Sequence, residues 1–220
     1  SPSSLPNLSG DVPDLEQGDV DKQAVVARDT GLNLNYLSFS AAEEGDFYST
    51  AGSYPFPPEI TILVYLRFRL DREAPGPRAL HRVGTLLGLG NRDLQVFYDL
   101  EAEETDIQTR LPGGSARFST DEGSDADFRL YGLVFGAPYD EALVGETIVQ
   151  PTSFVEPSQD ASGAFPLSLG RDPDGRGYLD ADVAEIQIFE GRASRFELLD
   201  IASRFNAEIF PTVSFSGSGT

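Results

Sequence analysis

The residues with chemistry to offer are acids. Of 220 residues, 36 are Asp or Glu against 16 Lys or Arg, with one His and no Cys. Two carboxyl groups across a glycosidic bond are the machinery of most glycoside hydrolases, about 5–5.5 Å apart for retention and wider for inversion. On one strand that demands alternating acids, because residues i, i+2 and i+4 share a face. Asp99, Glu101 and Glu103 alternate in this way within Asp99-Leu100-Glu101-Ala102-Glu103-Glu104. The segment lacks apolar partners, the chain has no Trp to make a sugar platform, and so acidic a composition produces such alternation by chance. A solvated acidic strand end is the expectation, and no catalytic residue is assigned.

A second group of acids suits a hard cation. Asp172-Pro173-Asp174-Gly175, followed by Asp180 and Asp182, places several carboxylates around one Gly-containing loop. Calcium takes roughly six to eight oxygens, commonly from such loops together with carbonyls and water. The D-x-D-x-D-G spacing is absent, so a Pro/Gly turn carrying solvated acids is the competing reading. Asp172, Asp174 and Asp180 are the candidate metal ligands; Asp121, Asp125 and Asp127 form a poorer cluster.

Other chemistry is excluded by composition. Without Cys there is no disulfide, thiolate metal site or cysteine nucleophile. His81 is the only histidine, which rules out a multi-histidine metal centre. A Ser–His–Asp triad would depend on it, yet no G-x-S-x-G elbow is present, and His81 reads as an exposed loop residue. No G-x-x-x-x-G-K loop marks a nucleotide site.

The formal charge is −20 and the isoelectric point near 4.2. Such a surface repels nucleic-acid backbone and acidic membranes, so neither is an expected partner. Only Lys22 among the basic residues is a lysine. Dense carboxylates remain soluble where salt screens their repulsion, which points to a saline setting, with an ordinary acidic surface as the alternative. Ser1-Pro2-Ser3-Ser4 carries neither a basic nor an apolar run, so no signal peptide is expected within the chain. The apolar stretch Ile60–Leu66 is too short to span a membrane.

The elements that must position these residues are strands. In 60–70, Ile60, Ile62, Val64, Leu66, Phe68 and Leu70 alternate with Thr61, Leu63, Tyr65, Arg67 and Arg69. Further strands are predicted over 24–27, 32–39, 83–89, 94–99, 106–111, 116–120, 127–135, 143–149 and 165–169. Residues 90–93 link two of them, Pro112-Gly113-Gly114 closes a hairpin, and 45–54 reads as turn. Near the C-terminus, Ala184, Ile186 and Ile188 alternate with Glu185, Gln187 and Phe189. A helix comes next: Ser194 and Glu197 have capping-box spacing, Leu198, Ile201, Ala202 and Phe205 make one apolar stripe, Asn206 offers a stop and Pro211 forbids continuation. The expected packing face is Phe196, Leu198, Ile201 and Phe205.

The closing run Val183-Ala184-Glu185-Ile186-Gln187-Ile188-Phe189, then a polar link and the helix from Phe196 to Phe205, resembles the end of laminin-G-like domains in the concanavalin A-like superfamily. The resemblance implies an all-β jelly-roll sandwich over 24–209 with one short C-terminal helix. Residues 1–23 and 210–220 are then extended polar arms. It places the long strand 60–70 where such domains usually carry a Trp, a position Tyr65 or a neighbour takes here. It also implies that calcium binds at a rim of the sandwich in some members, and that members include sugar binders, adhesion modules, enzyme appendages and virion proteins.

The functional expectation is a non-enzymatic structural or adhesion module on an assembly surface, such as a virion decoration, head or tail component. It would contact other subunits through its arms, at a virion or extracellular surface. The alternative is a lectin-like carbohydrate binder, calcium-assisted, with loop residues Tyr48, Tyr54, Tyr139 and Tyr178 stacking on sugars and host or cell-surface glycans as partners. A glycoside hydrolase comes third. No cofactor beyond calcium is expected.

Overall fold

The structure is a computed structural model that describes residues 4–5, 15–40, 45–56, 59–68, 80–89, 92–99, 104–111, 114–120, 127–135, 141–151, 153–155, 163–171 and 179–209. The period-two patterning appears as strands. The first are short: β1 (Ser4–Leu5), β2 (Leu15–Glu16), β3 (Val25–Asp29), β4 (Leu34–Ser38), β5 (Tyr48–Thr50) and β6 (Tyr54–Phe56). The next are longer: β7 (Ile60–Phe68), β8 (Leu80–Leu89), β9 (Arg92–Asp99), β10 (Glu104–Leu111), β11 (Gly114–Thr120) and β12 (Arg129–Phe135). Then come β13 (Glu141–Val144), β14 (Thr147–Val149), β15 (Ser153–Val155), β16 (Gly163–Phe165) and β17 (Leu167–Leu169). The last elements are β18 (Ala181–Glu190) and the helix α1 (Arg195–Ile209).

Nine strands form one sheet in the order β1-β2-β5-β17-β8-β9-β10-β11-β15, and seven form the other in the order β14-β13-β12-β7-β18-β4-β3. A two-stranded ribbon pairs β16 with β6. Every pairing among the described residues is antiparallel. The chain is therefore an all-β jelly-roll sandwich, as its sequence predicts.

β7 lies at the middle of the seven-stranded sheet and is buried on both faces, which is why its sequence is almost continuously apolar. Ile60, Ile62, Val64 and Leu66 enter the core between the sheets, where Tyr48, Phe118, Leu167 and Leu169 meet them from the nine-stranded sheet. Leu63 and Tyr65 point outward into a second core with Phe128, Leu130, Val134 and Leu143, closed over by Leu198 and Ala202 of α1. Gly132 is required there. A Cβ on it would stand 2.9 Å from Leu63 Cδ2 and 3.0 Å from Leu143 Cβ.

β18 departs from strict alternation. Its register against β7 shifts between Val183 and Glu185, so Ala184 is an inserted residue turned to the outer core. Ala181 and Val183 before it, and Ile186 and Ile188 after it, all reach the inter-sheet core. α1 opens on the predicted box: the Ser194 amide donates to Glu197 Oε2 at 2.7 Å and the Glu197 amide to Ser194 Oγ at 3.3 Å. The helix runs past Asn206, the expected stop, to Ile209. Phe196 is not on the packing face. It is 81% exposed, because residues two apart on a helix, such as Phe196 and Leu198, point to different sides. The side chain of Phe205 lies outside the described residues.

Three further expectations change. Residues 45–54 hold β5 and the start of β6 rather than a turn. His81 lies within β8, opposite Tyr98, rather than in a loop. The expected arm at 1–23 is in part a piece of the sandwich: β1 pairs with β2, and β2 pairs with β5 through Leu15–Thr50 and Glu16–Ser49. Two buried glutamines fasten the segment after β2. Gln17 Nε2 donates to Phe47 O at 3.2 Å and Gln23 Nε2 to Gln17 O at 2.8 Å. Residues 210–220 lie outside the described residues.

Candidate functional site

One rim of the sandwich gathers the segments that carry the candidate calcium ligands. Gly170 follows β17 directly, with φ +90, and its backbone presses so closely on a neighbouring segment that a Cβ would meet Asp46 O at 2.7 Å and the Phe39 ring at 2.9 Å. Only glycine fits both the backbone angle and the gap. The Leu179 amide donates to Gly170 O at 2.8 Å, so the chain leaves at Gly170 and returns at Leu179 side by side. The Phe39 amide donates to Ala181 O at 2.9 Å, tying the returning chain to the end of β4. The Asp46 carboxylate accepts the Ser40 amide at 2.7 Å. Arg171 lies over the Phe47 ring, 3.3 Å from its centroid, and Ser168 Oγ donates to Arg171 O at 3.0 Å.

Asp180 stands at this base, half-buried, between buried Leu179 and Ala181. Asp172 and Asp174 lie outside the described residues, in the connection that Gly170 and Leu179 pinch together. Among the described residues no group of three or more His, Asp or Glu side chains is placed to hold a metal ion. Asp121 and Asp125 of the poorer cluster also lie outside the described residues; Asp127 is exposed beside Phe128.

The tyrosines separate. Tyr48 is a core residue, 0% exposed, with its ring edge-on to Phe39 at 6.1 Å. Burial, then the Asp46 charge, push its phenol up to about 12. It cannot stack on a sugar; the tyrosine that reads as a loop residue in sequence is the first residue of β5. Tyr54 begins β6 opposite Phe165, and its side chain lies outside the described residues, as do Tyr139 and Tyr178. Of the alternating acids, Asp99 ends β9 and pairs with Glu104 at the start of β10; Glu101 and Glu103 lie outside the described residues.

Two charged clusters missed in the sequence hold the outer face together. Arg67, at the end of β7, donates from Nη2 to Asp182 Oδ2 at 2.8 Å and from Nη1 to Asp29 Oδ2 at 3.2 Å. Its guanidinium also lies over Phe128 at 4.5 Å and Tyr36 at 5.2 Å. Backbone amides of Leu32 and Gly31, with Arg67, hold the Asp29 carboxyl below its usual range against the opposing effect of desolvation. Tyr65, stacked on Phe128 at 5.4 Å in the mid-strand place expected of it, is pushed up to about 12 by burial and then by Asp127 and Asp29. In the second cluster, buried Glu141 accepts from Arg192 Nη2 at 3.1 Å and Arg195 Nε at 2.5 Å, locking the start of α1 onto β13. Neither set of partners is adjacent in sequence, so only the sheet order brings them together.

No protein-family model matches the sequence, and no curated protein matches it. Solved structures do match in fold. The botulinum neurotoxin serotype D ligand binding domain in complex with N-acetylneuraminic acid aligns with a TM-score of 0.60 at 11% identity, covering 90% of this chain and 47% of that one. The receptor binding domain of the botulinum neurotoxin C/D mosaic serotype gives 0.59 at 10% identity, over 90% and 48%. Trypanosoma rangeli sialidase gives 0.53 at 13% identity, over 86% and 29%. The chain thus spans about half the length of the neurotoxin domains and under a third of the sialidase. At these identities the likeness is one of fold: an antiparallel β-sandwich.

Proposed function

We propose that this chain is a non-enzymatic recognition module, a laminin-G-like sandwich that binds a glycan at the rim of the fold with calcium assisting. The strongest support for the reading is the likeness over 90% of its length to a domain in complex with N-acetylneuraminic acid. Fold alone does not fix a ligand, so the site must carry the rest. The pinch of Gly170 and Leu179 gives the rim a rigid base, with Asp180 at its edge. Asp172 and Asp174, eight and six residues before Asp180 in the sequence, are its proposed partners as calcium ligands. Tyr54, Tyr139 and Tyr178 supply aromatic faces for pyranose rings; Tyr48 is removed from that set by its burial. A charge of −20 disfavours acidic sugars, so neutral oligosaccharides are the preferred class. A glycan array probed with and without calcium tests this. Binding to neutral glycans that chelation weakens supports it, and an array with no binding at micromolar protein overturns it.

A second reading has its own observation. Val20, Val25 and Val26 are exposed beside or on β3, the outermost strand of its sheet, on a chain otherwise rich in carboxylates. Exposed β-branched residues at a sheet edge suit a contact between subunits of an assembly such as a virion, at an outer surface in saline surroundings. Sedimentation at molar salt tests it; a monomer at all micromolar concentrations would rule it out.

A further inference from the structure

We propose that the edge of β18 from Glu185 to Glu190, which no described strand pairs, is a docking site for an extended basic segment of another protein, which adds to the seven-stranded sheet as a further strand. β18 pairs with β7 along its whole length, but with β4 only at Asp182 and Val183. Beyond the insertion at Ala184, no described strand hydrogen-bonds to its other side. Six residues at about 3.3 Å each leave an edge of roughly 20 Å, the length of an ordinary strand. Backbone donors and acceptors along it are a template for strand addition, in which main-chain bonds give affinity and alternate side chains give specificity.

The side chains define the partner. Ile186 and Ile188 face the inter-sheet side half-buried, and Phe189 on the outer side is 42% exposed, so an incoming strand gains apolar contact on both faces. The segment itself carries two exposed acids and no base: Glu185 and Glu190. Gln187 Nε2 donates to Glu185 Oε1 at 2.5 Å, which orients that carboxylate. The edge carries neither Pro nor Lys, the residues that usually block pairing. A second copy of this chain, itself at −20, is repelled, whereas a strand alternating Lys or Arg with apolar residues is attracted and fitted. The site lies farther along β18 than the proposed glycan rim: its near end, Glu185, is five residues from Asp180, about 15 Å, and its far end, Glu190, ten residues, about 30 Å.

The test uses the full chain with an eight-residue peptide alternating lysine and valine, followed by amide hydrogen exchange. A control peptide has the same side chains and N-methylated backbone amides on its pairing edge. The expected result is exchange slowed by about tenfold or more at amides within 185–190 by the first peptide and not by the second. Reversing Glu185 and Glu190 to Lys is expected to weaken binding by about tenfold at low salt. Equal binding of the two peptides, protection elsewhere on the chain, or no effect of the charge reversal would overturn the proposal.

Discussion

Gly170→Ala compared with Gly191→Ala isolates the packing at the rim. The two glycines have nearly the same backbone angle, φ +90 and +92, so alanine suffers the same conformational penalty at both, about 1–2 kcal/mol. They differ in surroundings. A Cβ at Gly191 meets nothing within 4 Å, whereas at Gly170 it falls 2.7 Å from Asp46 O and 2.9 Å from two atoms of the Phe39 ring. The carbonyl belongs to Asp46, which is tied to Ser40 by two hydrogen bonds, and the ring belongs to a fully buried side chain, so neither gives way freely. Overpacking of that kind costs about 1–3 kcal/mol more. Gly191→Ala is therefore expected to lose about 1–2 kcal/mol and Gly170→Ala about 2–5 kcal/mol, read from urea unfolding midpoints at constant m-value. Equal losses in the two variants would refute the close packing of Gly170 against Phe39 and Asp46, and with it the rigid base given to the rim.

Arg67→Met keeps much of the packing against Phe128 and Tyr36 but takes a charged partner from Asp182, whose side chain is 6% exposed. A loss of about 2–3 kcal/mol is expected by chemical denaturation, with partial recovery in the double variant with Asp182→Asn. Ser194→Ala should cost about 1 kcal/mol through the lost cap, seen as faster amide exchange in the first turn of α1. Glu197 and Asp29 are both held below their usual range, so whatever they contribute is present above their unfolded values and is lost as pH falls through the depressed ones. Acid titration followed by circular dichroism should show α1 weakening in that range, and Glu197→Gln should remove its share. Tyr48 and Tyr65 act in the opposite direction: their phenols, raised from 10.0 to about 12, favour the fold below pH 10 and cease to do so as pH rises through 12. Two tyrosines ionising only near pH 12, or together with alkaline unfolding, is the expected ultraviolet titration.

Fold was legible because its signals are local. Alternation along 60–68 needs no partner to be recognised, and the Ser194–Glu197 box declares the start of α1 within four residues. The features that were not legible depend on neighbours distant in the chain. Tyr48 looks like a loop tyrosine beside Gly45 and Gly52, and becomes core only because β17 and β2 pair on either side of β5. The inserted Ala184 cannot be seen in an alternation that reads equally well with or without it; β7 reveals it through the register. The segment 15–23 is poor in large apolar residues and reads as an arm, yet two glutamine amides and the edge of β5 hold it. Arg67 finds its partners not among the nearby acids of its own sequence but in Asp29 and Asp182 from two other strands. Asp172 and Asp174 lie outside the described residues; of that candidate set the structure describes Asp180 alone.

The most direct measurement of the proposed function is native mass spectrometry of the chain incubated with a panel of neutral and sialylated oligosaccharides in calcium. It reads occupancy and any shortening of the sugar at once. The expected spectrum shows a one-to-one complex with an intact neutral glycan, weaker occupancy by sialylated ones, and loss of the complex on chelation. A panel returned unbound at millimolar sugar, or a complex that yields shortened glycan over time, would contradict a non-catalytic glycan-binding module.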